Sequence, residues 1–298
     1  MSQTRIFDAE LPLPDTGLTK RGKTLLGFDG RYERVRDRLR LLLQQGELAA
    51  WSTKHHGARL AICDLIAEQY PLAIFHGDVG TGKTATAECI ANQLAADAKI
   101  EDCVLFRLSN RVRGSGKVGE MGTLLTEAFQ KVMQAAGKSR SAMLVIDEGD
   151  SLGASRNQEH SHHEDKVAVN TLIQGIDELR RMDGRVVVFL CTNRLNALDA
   201  ALVRRAAIVE EFRRPDDAER RSLFSADLGG LGFSERELAA LVALTGPRGD
   251  GPGWTFSDIR TRLYPAAVAS AFPKEGLRFE HFRQAAVSMK ASPAMEDA

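Results

Sequence analysis

Five short apolar runs, rich in β-branched and aromatic residues, punctuate this chain: 72–76 (LAIFH), 103–108 (CVLFRL), 142–147 (AMLVID), 185–191 (RVVVFLC) and 207–212 (AIVEEF). Each has the length and composition of a strand buried on both faces. Between them apolar positions recur at helical spacing, as at Ala87, Ile90, Ala91 and Leu94, at Met121, Leu124, Leu125, Ala128 and Val132, and at Val169, Leu172, Ile173, Ile176 and Leu179. Strands alternating with helices call for crossover connections, so the pattern predicts an α/β fold: a five-stranded parallel sheet flanked by helices. After Pro215 only helical periodicity remains, to about residue 290, with a capping box at Ser234-x-x-Glu237 and a Gly/Pro-rich loop at 245–253. The predicted division is therefore an extended N-terminal arm (1–24, with Pro12, Pro14 and Gly17), a large α/β domain (25–215), a small all-helical lid (216–290) and a flexible tail (291–298).

Charge and cysteine usage narrow the classes of function. Lys+Arg and Asp+Glu both number 40, which leaves no bulk field to attract nucleic acid or an anionic membrane. The local basic cluster at Arg31, Arg34, Arg36, Arg38 and Arg40 flanks a stripe of Tyr32, Val35, Leu39 and Leu42, the pattern of an amphipathic helix with a solvated face. Cys63, Cys89, Cys103 and Cys191 form no C-x-x-C pair, which suits thiols in a reducing compartment. No apolar stretch approaches the length of a membrane span, and the first residues lack the layout of a signal peptide, so the expected location is the cytoplasm.

Candidate chemistry collects at the ends of the strands. The run 72–76 leads directly into GDVGTGKT, that is Gly77, Asp78, Val79, Gly80, Thr81, Gly82, Lys83 and Thr84, the full pattern G-x-x-x-x-G-K-[ST] between a strand and a helix. Glycines let the backbone approach a polyphosphate, inward N–H groups and the helix dipole favour anionic charge, Lys83 reaches the β and γ phosphates, and the Thr84 hydroxyl suits Mg²⁺. The third run ends in LVIDEGD, so Asp147 and Glu148 sit at a strand's carboxyl end, where open α/β sheets bind ligands. Asp147 is the expected Mg²⁺ partner and Glu148 the group that polarises an attacking water, which points to ATP hydrolysis rather than ATP binding alone. Asn193, after the fourth run, is placed to hold that water or sense the γ-phosphate. Arg204 and Arg205 precede the fifth run and lie too far along to reach their own phosphate loop easily, so they are expected to act on a neighbouring subunit, which requires a ring.

The order GDVGTGKT, LVIDEGDSL, TNR and LDAALVRRA, followed by a helical tail, resembles the AAA+ ATPases over about 50–290. Within them, AMLVIDEGDSLGASRN, KVAVNTLIQGIDELRR and RVVVFLCTNRLNALDAALVRRA resemble the pachytene-checkpoint/thyroid-receptor-interactor branch, whose members remodel HORMA-domain proteins. The short arm is similar to a bacterial version found in cyclic-oligonucleotide anti-phage systems. The resemblance implies a homo-hexamer that opens a HORMA protein and so restrains a HORMA-activated nucleotidyltransferase. It also implies a trans-acting arginine, at Arg205 in this branch and Arg204 in AAA+ proteins generally, and base contacts at Gly27 and Phe28. A nucleotide-switched loader or scaffold, or a general unfoldase, are the alternatives.

Departures from the family pattern stand beside these matches. The expected pore loop, Lys117, Val118 and Gly119, carries lysine where threading members usually carry an aromatic. A second arginine for the γ-phosphate is expected near Ser257, with Arg260 and Arg262, one or two turns further along, as the candidates. The cluster His160, His162, His163, Glu164 and Asp165 has a metal-like composition but not a helix-face spacing, and is read as a solvated or pore-facing loop.

Overall fold

The structure is a computed structural model and describes residues 5–100, 102–113, 119–152 and 163–295. Its frame is one six-stranded sheet made of β1 (Phe7–Leu13), β2 (Leu72–Gly77), β3 (Cys103–Leu108), β4 (Ser141–Ile146), β5 (Val186–Thr192) and β6 (Ile208–Phe212), in the order β1-β3-β4-β5-β2-β6. The strands β2 to β6 are mutually parallel. The centre of the sheet is buried on both faces, with every residue of β5 inside, which is why these runs read as continuous apolar stretches.

One strand more is present than the five expected. Residues 7–13, assigned from sequence to an extended arm, pair antiparallel with β3, Leu13 opposite Cys103, with an irregularity between Phe7 and Ala9. Only the strand's two ends, Phe7 and Leu13, are buried; Asp8, Glu10 and Pro12 face solvent. A proline and charged residues are acceptable on an edge whose outer N–H groups have no strand to pair with. A short helix, Thr16–Gly22, capped by Asp15, then ties this segment down: Asn92 accepts from the Asp15 N–H (2.6 Å) and donates to Thr19 (2.9 Å).

Helices cover both faces. Glu120–Ala136 and His163–Leu179 bury Leu125, Phe129, Leu172 and Ile176 on one side; Phe28–Leu43 and Lys83–Asp97 bury Val35, Leu39, Ile90 and Leu94 on the other. A third core, built around Leu223, Phe224, Leu241, Trp254 and Phe282, belongs to the helical region after β6. Capping boxes open two of its helices, at Asp216/Glu219 and at Ser234/Glu237. The chain leaves β2 for β3, on the far side of β5 and β4, and returns to β6 on β2's other edge. The strand order therefore reverses at β2, and the crevice beyond its carboxyl end is where such sheets place a ligand.

Candidate nucleotide site

The loop after β2 is shaped by glycines that no side chain could replace cheaply. Gly77 has φ +131°, and a Cβ there would lie 2.0 Å from the Phe212 carbonyl oxygen at the end of β6. Gly80 has φ +77°, and its Cβ would meet Thr255 Oγ1 at 2.7 Å and Ser257 Cβ at 2.8 Å. The helical region is thus packed directly on the loop, and the Ser257 N–H donates to the Gly80 carbonyl (3.1 Å). Helix Lys83–Asp97 begins one residue beyond left-handed Gly82, so its first N–H groups and positive dipole end face the loop. The Lys83 ammonium donates to the carbonyls of Gly77 and Asp78, both at 2.8 Å. Burial lowers its pKa from the ordinary lysine value.

Two strand ends supply the opposite wall. Asp147 follows β4 and its Oδ1 accepts the Glu148 N–H (2.8 Å). Glu148 has φ +51°, the left-handed region that a non-glycine residue enters at a cost, and such outliers gather at functional sites. Asn193 follows β5, and the turn there is fixed by Asp150, which accepts from the Thr192 hydroxyl (2.9 Å) and the Asn193 N–H (3.4 Å). A cavity of 260 Å³ is lined jointly by Val79, Gly80, Gly82, Lys83, Thr84, Ala85, Asp147, Glu148 and Asn193. Residues from three segments far apart in sequence thus meet around one space. The donor set fits a nucleotide triphosphate with Mg²⁺: backbone N–H groups, a buried cation, and the hard oxygens of Thr84 and Asp147 lining the same cavity.

Arg204 and Arg205 lie on a different flank. Arg205 is bidentate to Asp177 (2.7 and 3.1 Å), donates to the Ala201 carbonyl (3.0 Å) and lies 5.1 Å from the Tyr70 ring centre. Arg204 is exposed, makes no side-chain hydrogen bond among the described residues, and lines a 610 Å³ cavity with His76, Leu195, Asn196, Leu198, Ala200 and Val203. Neither arginine lines the cavity at Lys83.

Other candidates are placed elsewhere. Arg260 is bound by Asp227 (2.7 Å from both Nε and Nη2) and by the Thr24 carbonyl (2.9 Å), so it joins the helical region to the chain before the first long helix instead of lining the crevice. Motif position set its register but could not show that an acidic partner 33 residues away claims its side chain. The ring of Phe28 is buried beside Gly22 and Tyr32, in the core shared with helix Lys83–Asp97, and Gly27 is the left-handed N-cap of helix Phe28–Leu43; neither lines the 260 Å³ cavity. Lys117 and Val118 lie outside the described residues, as do His160 and His162; Gly119 caps the helix Glu120–Ala136 with φ +83°.

Some contributors were not singled out from sequence. Asp150 stands in the same DEGD run as Asp147, and only the fold shows that it supports β5's turn. Arg214, in the connector after β6, pairs with Asp78 of the phosphate loop (2.5 Å) across 136 positions, a separation no local pattern reveals.

Against known proteins, residues 73–214 match the family described as AAA, the ATPase family associated with various cellular activities. CD-NTase-associated protein 6 of Escherichia coli (strain KTE188) is 61% identical over 297 residues, covering 100% of both chains. A chain in the solved structure of the E. coli MS115-1 HORMA:CdnC:Trip13 complex superposes with a TM-score of 0.89 at 38% identity, over 98% of each chain. Rhizobiales Trip13 superposes with a TM-score of 0.71 at 32% identity, over 96% of this chain and 99% of that one. This chain belongs to the AAA ATPases and, within them, to the family of CD-NTase-associated protein 6. A nucleotide-binding ATPase is therefore the coarse identity of the molecule. No helix among the described residues is long and apolar enough to cross a membrane.

Proposed function

We propose that this protein is an ATP-hydrolysing ring motor, a homo-hexamer of the cytoplasm, that opens HORMA-domain complexes and thereby restrains a HORMA-activated nucleotidyltransferase in anti-phage defence. Residues 25–215 are the nucleotide-binding domain in this reading and 216–290 its lid. The observation that carries it is the single cavity joining Lys83 and Thr84 to Asp147, Glu148 and Asn193, in a chain similar over nearly its whole length to one found with HORMA and CdnC partners. Four buried, unpaired thiols support the reducing location.

In the proposed mechanism Lys83 exchanges its two loop carbonyls for phosphate oxygens, beside the N–H groups at the start of its helix. Thr84 and Asp147 would hold Mg²⁺. When bound, that ion neutralises charge on the β and γ phosphates. Glu148 accepts a proton from a water that Asn193 orients as the water oxygen bonds to the γ-phosphorus and the bond to the β–γ bridging oxygen breaks, leaving ADP and phosphate. A neighbouring copy supplies Arg204 or Arg205 to the charge that develops on the γ-phosphoryl group. Arg205 must first leave Asp177, whereas Arg204 has no such partner to give up. The loop at 117–119 contacts the substrate protein, with lysine offering charge and an aliphatic stem in place of a stacking ring.

The test is a trapping experiment. The Glu148→Gln chain, loaded with ATP, is expected to co-purify with a HORMA protein; recovery of a DNA-bound or clamp-bound complex instead would favour a nucleotide-switched loader.

A further inference from the structure

A carboxylate inside a phosphate-binding loop works against the loop's purpose, because it repels the polyanion it must hold. Asp78 is such a residue, and both of its carboxylate oxygens are engaged. Its Oδ2 accepts from Arg214 Nε at 2.5 Å, and its Oδ1 accepts the backbone N–H of Met295 at 2.9 Å. The pair is largely buried, with side-chain exposures of 12% for Arg214 and 15% for Asp78. Three more of the Arg214 N–H groups donate to main-chain oxygens: Nη1 to Gly253 (2.6 Å) and Ser292 (2.9 Å), Nη2 to Pro293 (2.9 Å). One guanidinium thus touches the phosphate loop, the helical region and the chain's last described residues.

Those last residues are anchored at their other side too. Ser292 donates to Asp258 through its hydroxyl (2.5 Å) and its N–H (3.2 Å), and Asp258 also accepts from Arg262 (2.8 Å) and the Thr255 N–H (3.1 Å). Asp258 follows Ser257, whose N–H holds the Gly80 carbonyl. Residues 292–295, expected from sequence to be part of a flexible tail, therefore span from a buried acid of the helical region to an acid of the phosphate loop. Each of these ties is a hydrogen bond, which is why hydrophobic patterning could not reveal them.

We propose that residues 292–295 form a strap that holds the helical region closed on the phosphate loop, with Arg214 as its buckle, and that the strap slows release of nucleotide. Arg214 is a positioning residue here: it neutralises Asp78 and transmits the lid's position to the loop, without touching the phosphates. The strap rests on nucleotide binding at this loop.

Release of a fluorescent ADP analogue, chased by excess ATP, is measured on the full chain, on the chain ended after Ala291, on S292A and on R214A. Loss of ties of this kind is expected to speed release about threefold to tenfold in the shortened chain and about twofold in S292A, while a single turnover of pre-bound ATP changes by less than about twofold. Shortening the R214A chain is expected to add less than it does in the parent, because both changes act on one network in which Arg214 holds Ser292 and Pro293 while Met295 reaches Asp78 directly. Release unchanged in both the shortened chain and S292A overturns the strap; strictly additive effects of R214A and shortening overturn the buckle. If the shortened chain does not fold, S292A takes its place in both comparisons, alone and combined with R214A. A full chain that binds no ADP overturns the nucleotide site itself, and the strap with it.

Discussion

At the carboxyl end of β2 the key cation, Lys83, is buried, 6% exposed, and folded onto two carbonyls of its own loop. Just ahead of β6, Arg204 is exposed and without a side-chain partner among the described residues, and Arg205 next to it is held by Asp177 on the protein's surface. The first region arranges its charges for a ligand that enters the crevice of the same chain. The second presents charge outward. Two arginines adjacent in sequence are thus in different states, Arg205 held by Asp177 and Arg204 exposed, a difference that their spacing does not reveal.

The largest effects should come from that second region. In the proposed ring, replacing by alanine whichever arginine serves the neighbour lowers kcat by about 10³, as for other trans-acting arginines. Arg205→Ala should also lower the melting temperature slightly, because losing Asp177 as a partner costs the roughly 0.2–1 kcal/mol of stability typical of a solvent-accessible pair. Arg204→Ala should leave melting unchanged, so steady-state kinetics and a thermal melt together tell the two apart. Next in size, Glu148→Gln should lower kcat by about 10² or more while ATP binding, measured by titration, persists.

Smaller effects probe how tightly the crevice is built. Gly80→Ala puts a methyl 2.7 Å from Thr255 Oγ1, on a residue with φ +77°. Its expected cost is on the order of 1–3 kcal/mol, seen as a lower melting temperature together with weaker nucleotide binding. Smallest is a pH effect at Lys83. Its folded pKa lies below the ordinary 10.5, so the charged form is disfavoured on folding; that penalty is present at neutral pH and disappears as pH rises through the folded pKa toward 10.5. The melting temperature of the Lys83→Met chain relative to the parent is therefore expected to fall between about pH 7 and pH 10. A difference that grows with pH would contradict the assigned direction.

How far the fold and site were readable in the sequence follows from the range of each interaction. The five parallel strands were legible because their burial on both faces leaves uninterrupted apolar runs. The edge strand Phe7–Leu13 was not, since its exposed Asp8, Glu10 and Pro12 look like an arm. Lys83, Thr84, Asp147 and Glu148 stood out because each lies in a contiguous motif beside a strand. The sequence could not show that Asp177 holds Arg205, that Asp227 holds Arg260, or that Arg214 meets Asp78, because each depends on which remote side chain the fold brings close. Nor could it show the strap, whose partners are mostly backbone atoms.

The most direct test of a crevice completed by another copy is complementation in mixed assemblies. Glu148→Gln chains keep their arginines, and chains lacking both Arg204 and Arg205 keep Glu148; each alone should be inactive. Mixed in equal amounts and co-assembled, they should regain ATP hydrolysis, because a crevice with intact Glu148 can then receive arginines from its neighbour. Mixtures that demonstrably co-assemble yet stay as inactive as either parent would contradict a shared site.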